Sequence, residues 1–142
     1  MKTNDAGIEL IKKFEGFRGT IYLDLAGNPT IGYGHKLHAG ERYNMIEMEQ
    51  AENLLLSDLQ EVERAVSEYV KIALNDNQFS ALVCWVYNLG TERLEHSTLL
   101  EKINTNSLND VPEEMMRWCR SGSKPVKGLI NRRAAEACLF VS

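Results

Sequence analysis

A long amphipathic pattern between Glu47 and Tyr69 is the feature that most constrains the fold of this chain. Apolar residues recur within it at positions 51, 55, 59, 62 and 66, and charged residues occupy the opposite face. This spacing is typical of a helix with one buried side. Because such a helix spans about 33 Å, it is long enough to connect two lobes. The pattern therefore predicts a connecting helix over about 47–69.

The segments on the two sides of this helix have different patterns. On the N-terminal side, the β-branched and aromatic runs 20–23 and 30–33 flank a turn-like stretch and indicate a β-hairpin. On the C-terminal side, residues 79–87 are apolar nearly all round, which indicates a buried central helix. The 142 residues fit one domain. We therefore expect an α+β, mostly helical fold with a small β-hairpin lobe at about 15–46 and a helical lobe at about 70–142, which the N-terminal helix joins.

Local signals predict where the shorter elements begin and end. Asp5 is the expected N-cap of the first helix. The pattern Thr98-x-x-Glu101 is that of a capping box at the start of a short helix. Two more helices are expected, at about 110–120 and 129–140, with a loop over 121–125 between them.

Composition excludes several classes of protein. A net charge of −4 gives no general signal for nucleic-acid binding. No N-terminal stretch resembles a signal peptide and no apolar run is long enough to span a membrane, so we expect folding in a cytoplasm without a membrane anchor. The cysteines at 84, 119 and 138 lack a C-x-x-C spacing and have apolar neighbours, which predicts buried free thiols.

Two carboxylic acids and a hydroxyl near the N-terminus suggest glycosidic-bond chemistry. Glu15 is followed nine positions later by Asp24 and six positions after that by Thr30. A carboxyl that stays protonated can give its proton to a leaving oxygen, while one that stays ionised handles the water. Taken alone, the same set also fits a solvated helix end and a hairpin turn, because such spacings occur by chance.

The local settings assign a different task to each residue. Glu15 lies at a helix end between two phenylalanines, and the helix dipole and apolar neighbours both favour a protonated carboxyl there. Asp24, in a wet turn, should ionise normally. If the hairpin is centred on Gly27, then Asp24 and Thr30 face each other with Cβ atoms roughly 4.5–5.5 Å apart. That pair could hold one water molecule between them.

Two further clusters have both a functional and a structural interpretation. Residues 117–133 carry six basic side chains and no acid. This run either forms a basic rim for an anionic polymer or is a solvated surface. His35 and His38 are close in sequence, but the third histidine is distant and no H-E-x-x-H or similar spacing is present. We therefore expect no metal site.

Several short motifs follow one another along the chain. They are Phe14–Arg18, Asp24, Thr30–His35, Leu74–Leu82, Tyr87–Gly90, Ser97–Leu100 and Gly128–Arg133. Together they cover nearly the whole chain, and a sequence with this series resembles the phage-type lysozymes, the endolysins of glycoside hydrolase family 24.

The resemblance implies a muramidase that hydrolyses the β-1,4 bond between N-acetylmuramic acid and N-acetylglucosamine in peptidoglycan. It implies that Glu15 is the general acid and that Asp24 and Thr30 hold the attacking water, with inversion at the anomeric carbon and no metal or organic cofactor. The residues expected to bind substrate along the cleft are Tyr87, Asn88, Ser97 and Arg132. A cation at Arg132 would oppose protonation of Glu15.

The same resemblance implies partners and a location. The glycan strands of peptidoglycan are the expected partner, nucleic acid is not, and the protein is expected to be a monomer. It would wait in the host cytoplasm until a holin opens the membrane. His35 is expected to be structural, with Asp58 as its ionic partner. Two alternatives stay open, namely a chitin-type hydrolase of the same superfamily and a non-catalytic wall-binding protein.

Overall fold

The chain forms a small lobe of strands, a long helix and a larger helical lobe. The computed structural model describes all 142 residues. Helix α1 (Asp5–Glu15) is followed by the strands β1 (Arg18–Leu23), β2 (Pro29–Gly32) and β3 (His35–Lys36), which form an antiparallel sheet in that order. Helix α2 (Met48–Tyr69) comes next. The α+β, mostly helical class predicted from the sequence is confirmed.

The larger lobe is built from short helices around one central helix. Its elements, in chain order, are α3 (Asp76–Leu89), α4 (Thr91–Glu95), α5 (Thr98–Asn104), a 3-10 turn (Leu108–Asp110), α6 (Val111–Met116), the hairpin β4 (Arg120–Ser121) and β5 (Lys124–Pro125), and α7 (Lys127–Phe140). Helix α3 contacts α1, α2, α4 and α7, so the lobe surrounds it.

Helix α3 is central because its side chains are apolar on nearly every face. Every residue from Phe79 to Val86 is buried. Each large apolar side chain removed from water contributes on the order of 1.5–3 kcal/mol to folding. The helix starts at a reciprocal cap, in which Asn75 accepts from the Gln78 N–H at 2.8 Å and the Gln78 side chain accepts from the Asn75 N–H at 2.9 Å.

Helix α2 connects the two lobes. Its buried residues are Ala51, Leu55, Leu59 and Val66, which repeat at the spacing that the sequence indicated. This face packs against β2 and β3 on one side and against α3 and α4 on the other. Because one apolar stripe touches both lobes, α2 sets their relative position along the cleft.

Two helices begin one residue away from the cap that the sequence predicted. Asn4, not Asp5, caps α1, because its side-chain oxygen accepts from the Gly7 N–H at 3.0 Å. Ser97, not Thr98, caps α5, because its hydroxyl oxygen accepts the backbone N–H three residues later at 3.0 Å. In both cases the cap lies in extended backbone and the predicted cap is already inside the helix.

Several short elements were not predicted. These are β3, α4 and the β4–β5 hairpin, which occupies the expected loop over 121–125. The helix predicted for 110–120 ends at Met116. The chain turns after Met116, and Trp118 packs edge-on against Trp85 with ring centres 5.8 Å apart.

The prediction that all three thiols are buried was wrong for two of them. Cys84 on α3 is buried, Cys119 is half-buried after α6, and Cys138 is exposed on α7. Cys138 follows the buried Ala137 and lies on the outer face of its helix. None of the helices combines the length and the apolar character that crossing a lipid bilayer requires.

Candidate active site

A cavity of about 370 Å³ lies where the small lobe meets the larger one. The predicted residues Glu15, Asp24, Thr30, Tyr87 and Asn88 all line it. They come from the end of α1, from the β1–β2 hairpin and from the end of α3. The other lining residues, which the sequence reasoning missed, are Tyr22, Leu25, Ala26, Gly34 and Lys36.

Glu15 is the last residue of α1. The helix ends there because Gly16 has φ 74° and its N–H bonds the Lys12 carbonyl at 2.9 Å. Arg132 donates from Nη1 to Glu15 Oε2 at 2.8 Å, so the expected cation is in direct contact. The contact holds one oxygen of the carboxyl, so any other group that binds Arg132 acts on Glu15 through this guanidinium.

Tyr87 closes the cavity behind Glu15. Its hydroxyl donates to the Tyr33 carbonyl at 2.8 Å, which ties α3 to the turn between β2 and β3. Burial, reinforced by the nearby Glu15 carboxylate, raises the pKa of Tyr87 far above its ordinary value. Tyr87 therefore acts as a neutral hydrogen-bonding group at neutral pH.

The hairpin has a different register from the one predicted. Tyr22, not Asp24, lies opposite Thr30, and the turn is centred on Ala26. The reason is the Asp24 side chain, whose Oδ1 accepts the N–H groups of Ala26 at 2.9 Å and Asn28 at 2.8 Å. These bonds fold the chain around Ala26, and the centre of the turn lies one residue earlier than predicted. The predicted facing pair of Asp24 and Thr30 is therefore wrong.

Asn28 connects the two residues that do not face each other. It donates its backbone N–H and its side-chain amide to the Asp24 carboxylate, and its carbonyl accepts the Thr30 hydroxyl at 2.8 Å. The backbone bond from Asn28 is the main reason that the pKa of Asp24 lies below its ordinary 3.8, although some burial opposes it. Asp24 is therefore ionised, as expected, but its pKa is lower than the ordinary value that the sequence suggested.

Thr30 and its neighbours form the floor of the cavity. Thr30 is 2% exposed and lies opposite Lys36 on β3. The Lys36 ammonium is 3.8 Å from Asp24 Oδ2. Tyr22 lies on β1, two positions before Asp24, which directly follows the strand, and the alternation of side chains along an extended chain puts such residues on one face. That alternation is the sequence signal by which Tyr22 could have been found.

Ser97 lies outside this cavity. It lines a separate hollow of about 310 Å³ beside Trp118. Its hydroxyl donates to the Leu94 carbonyl at 2.7 Å and accepts from the Leu100 N–H at 3.0 Å, so its one donor and one acceptor site are used within the fold. The structure therefore separates Ser97 from the other predicted substrate-binding residues.

The basic run over 117–133 divides into three parts. Arg132 and Arg133 are buried and point into the protein. Arg117 pairs with the acids of α6. The remaining three, Arg120, Lys124 and Lys127, are exposed around the β4–β5 hairpin. A surface rim is therefore limited to these three residues.

His35 connects β3 to the loop that follows it and to α2. Its Nδ1 is 2.7 Å from Asp58 Oδ2, the ionic partner that the resemblance implied, and its Nε2 is 3.1 Å from Glu41. His35, His38 and Asp58 are also the group of side chains close enough to share a metal ion. Both ring nitrogens of His35 are already engaged by carboxylates, so a metal would have to displace one of these bonds.

Comparisons with known proteins agree with these features. A family model described as phage lysozyme matches residues 12–136. The endolysin of Acyrthosiphon pisum secondary endosymbiont phage 1 is 37% identical over all of this chain and 99% of its own length. The endolysin of Bacillus phage B103 is 38% identical, but this chain spans only 55% of that relative's length. The solved endolysin from Escherichia coli O157:H7 phage FAHEc1 superposes with a TM-score of 0.89 at 35% identity, covering 100% of this chain and 94% of that one.

Proposed function

The chain belongs to the phage lysozyme family, and from this premise we propose that it is an endolysin-type muramidase. It would hydrolyse the β-1,4 bond between N-acetylmuramic acid and N-acetylglucosamine in peptidoglycan. The observation that carries the proposal is the shared cavity of Glu15, Asp24 and Thr30. It brings together two carboxyl groups in unlike settings, one against an arginine and one held in a turn, as glycoside hydrolysis requires.

In the proposed mechanism, Glu15 gives its proton to the leaving glycosidic oxygen as the bond to the anomeric carbon breaks. Asp24 polarises a water and accepts its proton as the new carbon–oxygen bond forms. Thr30 donates its own hydrogen to Asn28, so its oxygen is free to accept from that water. Attack opposite the leaving group inverts the anomeric carbon, and solvent afterwards restores the two protonation states.

The low pKa of Asp24 suits this division of labour. The turn keeps Asp24 ionised, so a negative charge is present where the sugar ring develops positive charge. Tyr87 and Asn88 lie across the cavity from the hairpin and are proposed to bind the sugar, while Arg132 contacts the acid itself. Ser97 is left out of this set because its hydroxyl is used in the α5 cap.

We also propose where the protein acts. As an endolysin, it would act as a monomer on the glycan strands of peptidoglycan, after waiting in the host cytoplasm for a holin to open the membrane. Expression in a bacterium without a holin tests this proposal. The culture should keep growing until chloroform permeabilises the membrane and should then clear, whereas lysis without chloroform would contradict holin dependence.

The test of activity uses purified peptidoglycan and outer-membrane-permeabilised cells. The wild type should clear the cells and release reducing ends, with an inverted anomer as the first product by NMR. Glu15→Gln should lose activity by about 10²–10⁴-fold while keeping its circular dichroism spectrum. A faster reaction on chitin would favour the chitin-type hydrolase, and sedimentation with walls without clearing would favour a non-catalytic binder.

A further inference from the structure

A cluster of buried charges lies directly behind the cavity, in the first half of α7. It consists of Arg132, Arg133 and Glu136, whose exposed fractions are 5%, 0% and 0%. Charged side chains are almost never buried this fully unless they are paired. No step of the mechanism above uses Arg133 or Glu136, so their burial needs a separate explanation.

The first arm of the cluster leads to the acid. Glu136 Oε2 accepts from Arg132 Nε at 3.4 Å, and the same guanidinium donates to Glu15 at 2.8 Å through Nη1. Arg132 is therefore shared between two carboxyl groups, one on each side of it. Its remaining Nη2 is buried without a hydrogen-bond partner.

The second arm leads to the opposite wall of the cavity. Arg133 Nε is 3.0 Å from Glu136 Oε1, and Arg133 Nη2 donates to Asn88 Oδ1 at 2.5 Å. Because the amide oxygen of Asn88 accepts this hydrogen bond, its NH₂ group is the part that remains available to the cavity. Arg133 thus determines which end of Asn88 is presented.

Glu136 is the one anion that the two arginines share. Arg132 lies four positions before Glu136 and Arg133 lies three positions before it, so both guanidinium groups reach the same carboxylate. The Arg132 contact is a hydrogen bond, whereas the Arg133 contact is an ion pair without hydrogen-bond geometry. The charges that act on Glu136 are Arg133 and Arg132, and Glu15 supplies the only other acid in contact with the cluster. Without Glu136, Arg132 and Arg133 would be two adjacent buried cations that repel each other, and Glu15 would be the only acid left to pair with them.

The packed elements around the cluster add little other charge. Helix α3 contributes Cys84, whose burial raises its pKa to about 12, and α1 contributes Glu15. The buried acid of α6 is Glu114, and it pairs with Arg117 instead. Tyr22 and Tyr87 also face Glu15. Burial raises the pKa of Glu136, and the charges of Arg133 and Arg132 act in the opposite direction and favour the carboxylate.

We propose that Glu136 is a positioning residue for the proposed hydrolysis, on which this inference rests. Its carboxylate takes up part of the Arg132 charge, so that Glu15 can carry the proton it must donate, and it holds Arg133 against Asn88. One buried anion thereby sets both the acid on one wall and a binding group on the other.

Two substitutions of the cluster should shift the pH profile in opposite directions. Glu136→Gln leaves Arg132 with Glu15 alone, so the alkaline limb of kcat/KM should move to lower pH and kcat at neutral pH should fall roughly 10-fold or more. Arg133→Met leaves Glu136 entirely to Arg132, so the same limb should move to higher pH while KM rises. A merely structural role would reduce stability without opposite shifts.

Glu114→Gln is the matched control, since it also removes a buried glutamate that pairs with an arginine. It should lose stability but keep the wild-type pH profile. If Glu136→Gln does not fold, the double variant Arg133→Met with Glu136→Met removes one buried charge of each sign and should fold. It must then show the downward shift of the alkaline limb. Unchanged profiles in the folded variants would overturn the proposal.

A measurement without turnover separates this proposal from the proposed function. The side-chain Nε–H signals of Arg132 and Arg133 in ¹⁵N NMR spectra should both move in the variant that lacks Glu136 and stay in place in Glu114→Gln. If the wild type does not cleave peptidoglycan but both signals move, the function is wrong and the shared hold on the arginines is right. If neither signal moves, the positioning role is wrong whatever the activity.

Discussion

At the scale of single residues, Gly34 leaves the space that the Glu15 carboxyl occupies. It has φ +86°, and a Cβ placed on it would be 2.7 Å from Glu15 Oε1 and 3.3 Å from the Tyr87 hydroxyl. Such a contact is too short to be tolerated without a shift, and the carboxyl is the group that must give way. The position of the Glu15 carboxyl therefore depends on the absence of a side chain at Gly34, in the turn between β2 and β3.

Gly34→Ala should reduce activity more than 10-fold, because the new methyl group displaces Glu15 from Arg132 and from the cavity. The left-handed backbone also costs stability, about 1–2 kcal/mol. Gly40→Ala is the control, since Gly40 has φ +88° and open space around it. It should lose similar stability in urea titrations but keep its rate of cell clearing. Equal losses of activity in both variants would refute the steric argument.

Asp24 combines a chemical task with a structural one, and two substitutions separate them. Asp24→Asn keeps an oxygen to accept the turn N–H groups, so its stability should stay near that of the wild type. Its activity should fall by about 10²-fold or more, because the negative charge is gone. Asp24→Ala should lose activity and about 1 kcal/mol of stability as well. Substantial clearing of cells by the asparagine variant would contradict the proposed role.

The identity of the site could be predicted better than its geometry. Glu15, Asp24 and Thr30 were singled out from residue type and spacing, and Tyr87 and Asn88 from the resemblance; all five line one cavity. The hairpin register could not be predicted, because Asp24 bonds its own turn and moves the centre from Gly27 to Ala26. Propensity rules describe a turn's composition but not this competition between side chain and backbone.

At the scale of elements, α5 shows how a site residue and a cap can be confused. Ser97 lies in a motif that resembles the family's cleft residues, yet its hydroxyl bonds the start of its own helix. Ser97→Ala should therefore lose about 1 kcal/mol in urea titrations and keep full activity on peptidoglycan. Thr98→Ala, at the exposed next position, should change stability by less than about 0.5 kcal/mol. A raised KM in the Ser97 variant would restore its substrate-binding role.

Long periodic elements could be predicted and short ones could not. Helices α2 and α3 are long enough to be recognised in the sequence, α2 by its apolar spacing and α3 by apolar residues on nearly every face. Strand β3 and helix α4 are too short for any period, and the β4–β5 hairpin has only two residues in each strand. Their conformations depend on tertiary contacts, such as β3 pairing with β2 and α4 packing on α2 and α3.

At the scale of the whole molecule, the network around His35 makes stability depend on pH from both sides. Burial lowers the pKa of His35, but the bonds and charges of Asp58 and Glu41 outweigh it and raise it above 6.5. Hydrogen bonds from Tyr43 and from the His38 N–H lower the pKa of Glu41 from 4.5 to about 2. The network thus stabilises the protonated form of His35 and the ionised form of Glu41.

The contribution of His35 and Glu41 to the free energy of unfolding should accordingly be complete between about pH 4.5 and 6.5. The His35 contribution is complete below 6.5 and is lost as the pH rises through its raised pKa. The Glu41 contribution is complete above 4.5 and is lost as the pH falls towards 2. Urea titrations from pH 2 to 9 measure this curve. His35→Gln should remove the decline on the alkaline side, and a variant with an unchanged decline would assign it to another group.

The overall arrangement also explains what no local pattern could reveal. Arg132 and Glu15 are 117 residues apart in the chain, and only the packing of α1 and α7 against each other and against α3 brings them into contact. The resemblance to a family suggested this contact, whereas periodicity and charge could not. The contact between Arg133 and Glu136 could not be predicted either, because the sequence places Arg133 only in a basic run and Glu136 only in the terminal helix.

The unequal burial of the three thiols gives the molecule a natural labelling site. A maleimide dye should react with Cys138 first, because it is exposed, and should spare Cys84, which is buried and whose pKa is raised to about 12. Cys138 follows Arg132 by six positions, about 9 Å along the same helix. A fluorophore there would report on the helix that carries Arg132, in solution and without introducing a cysteine.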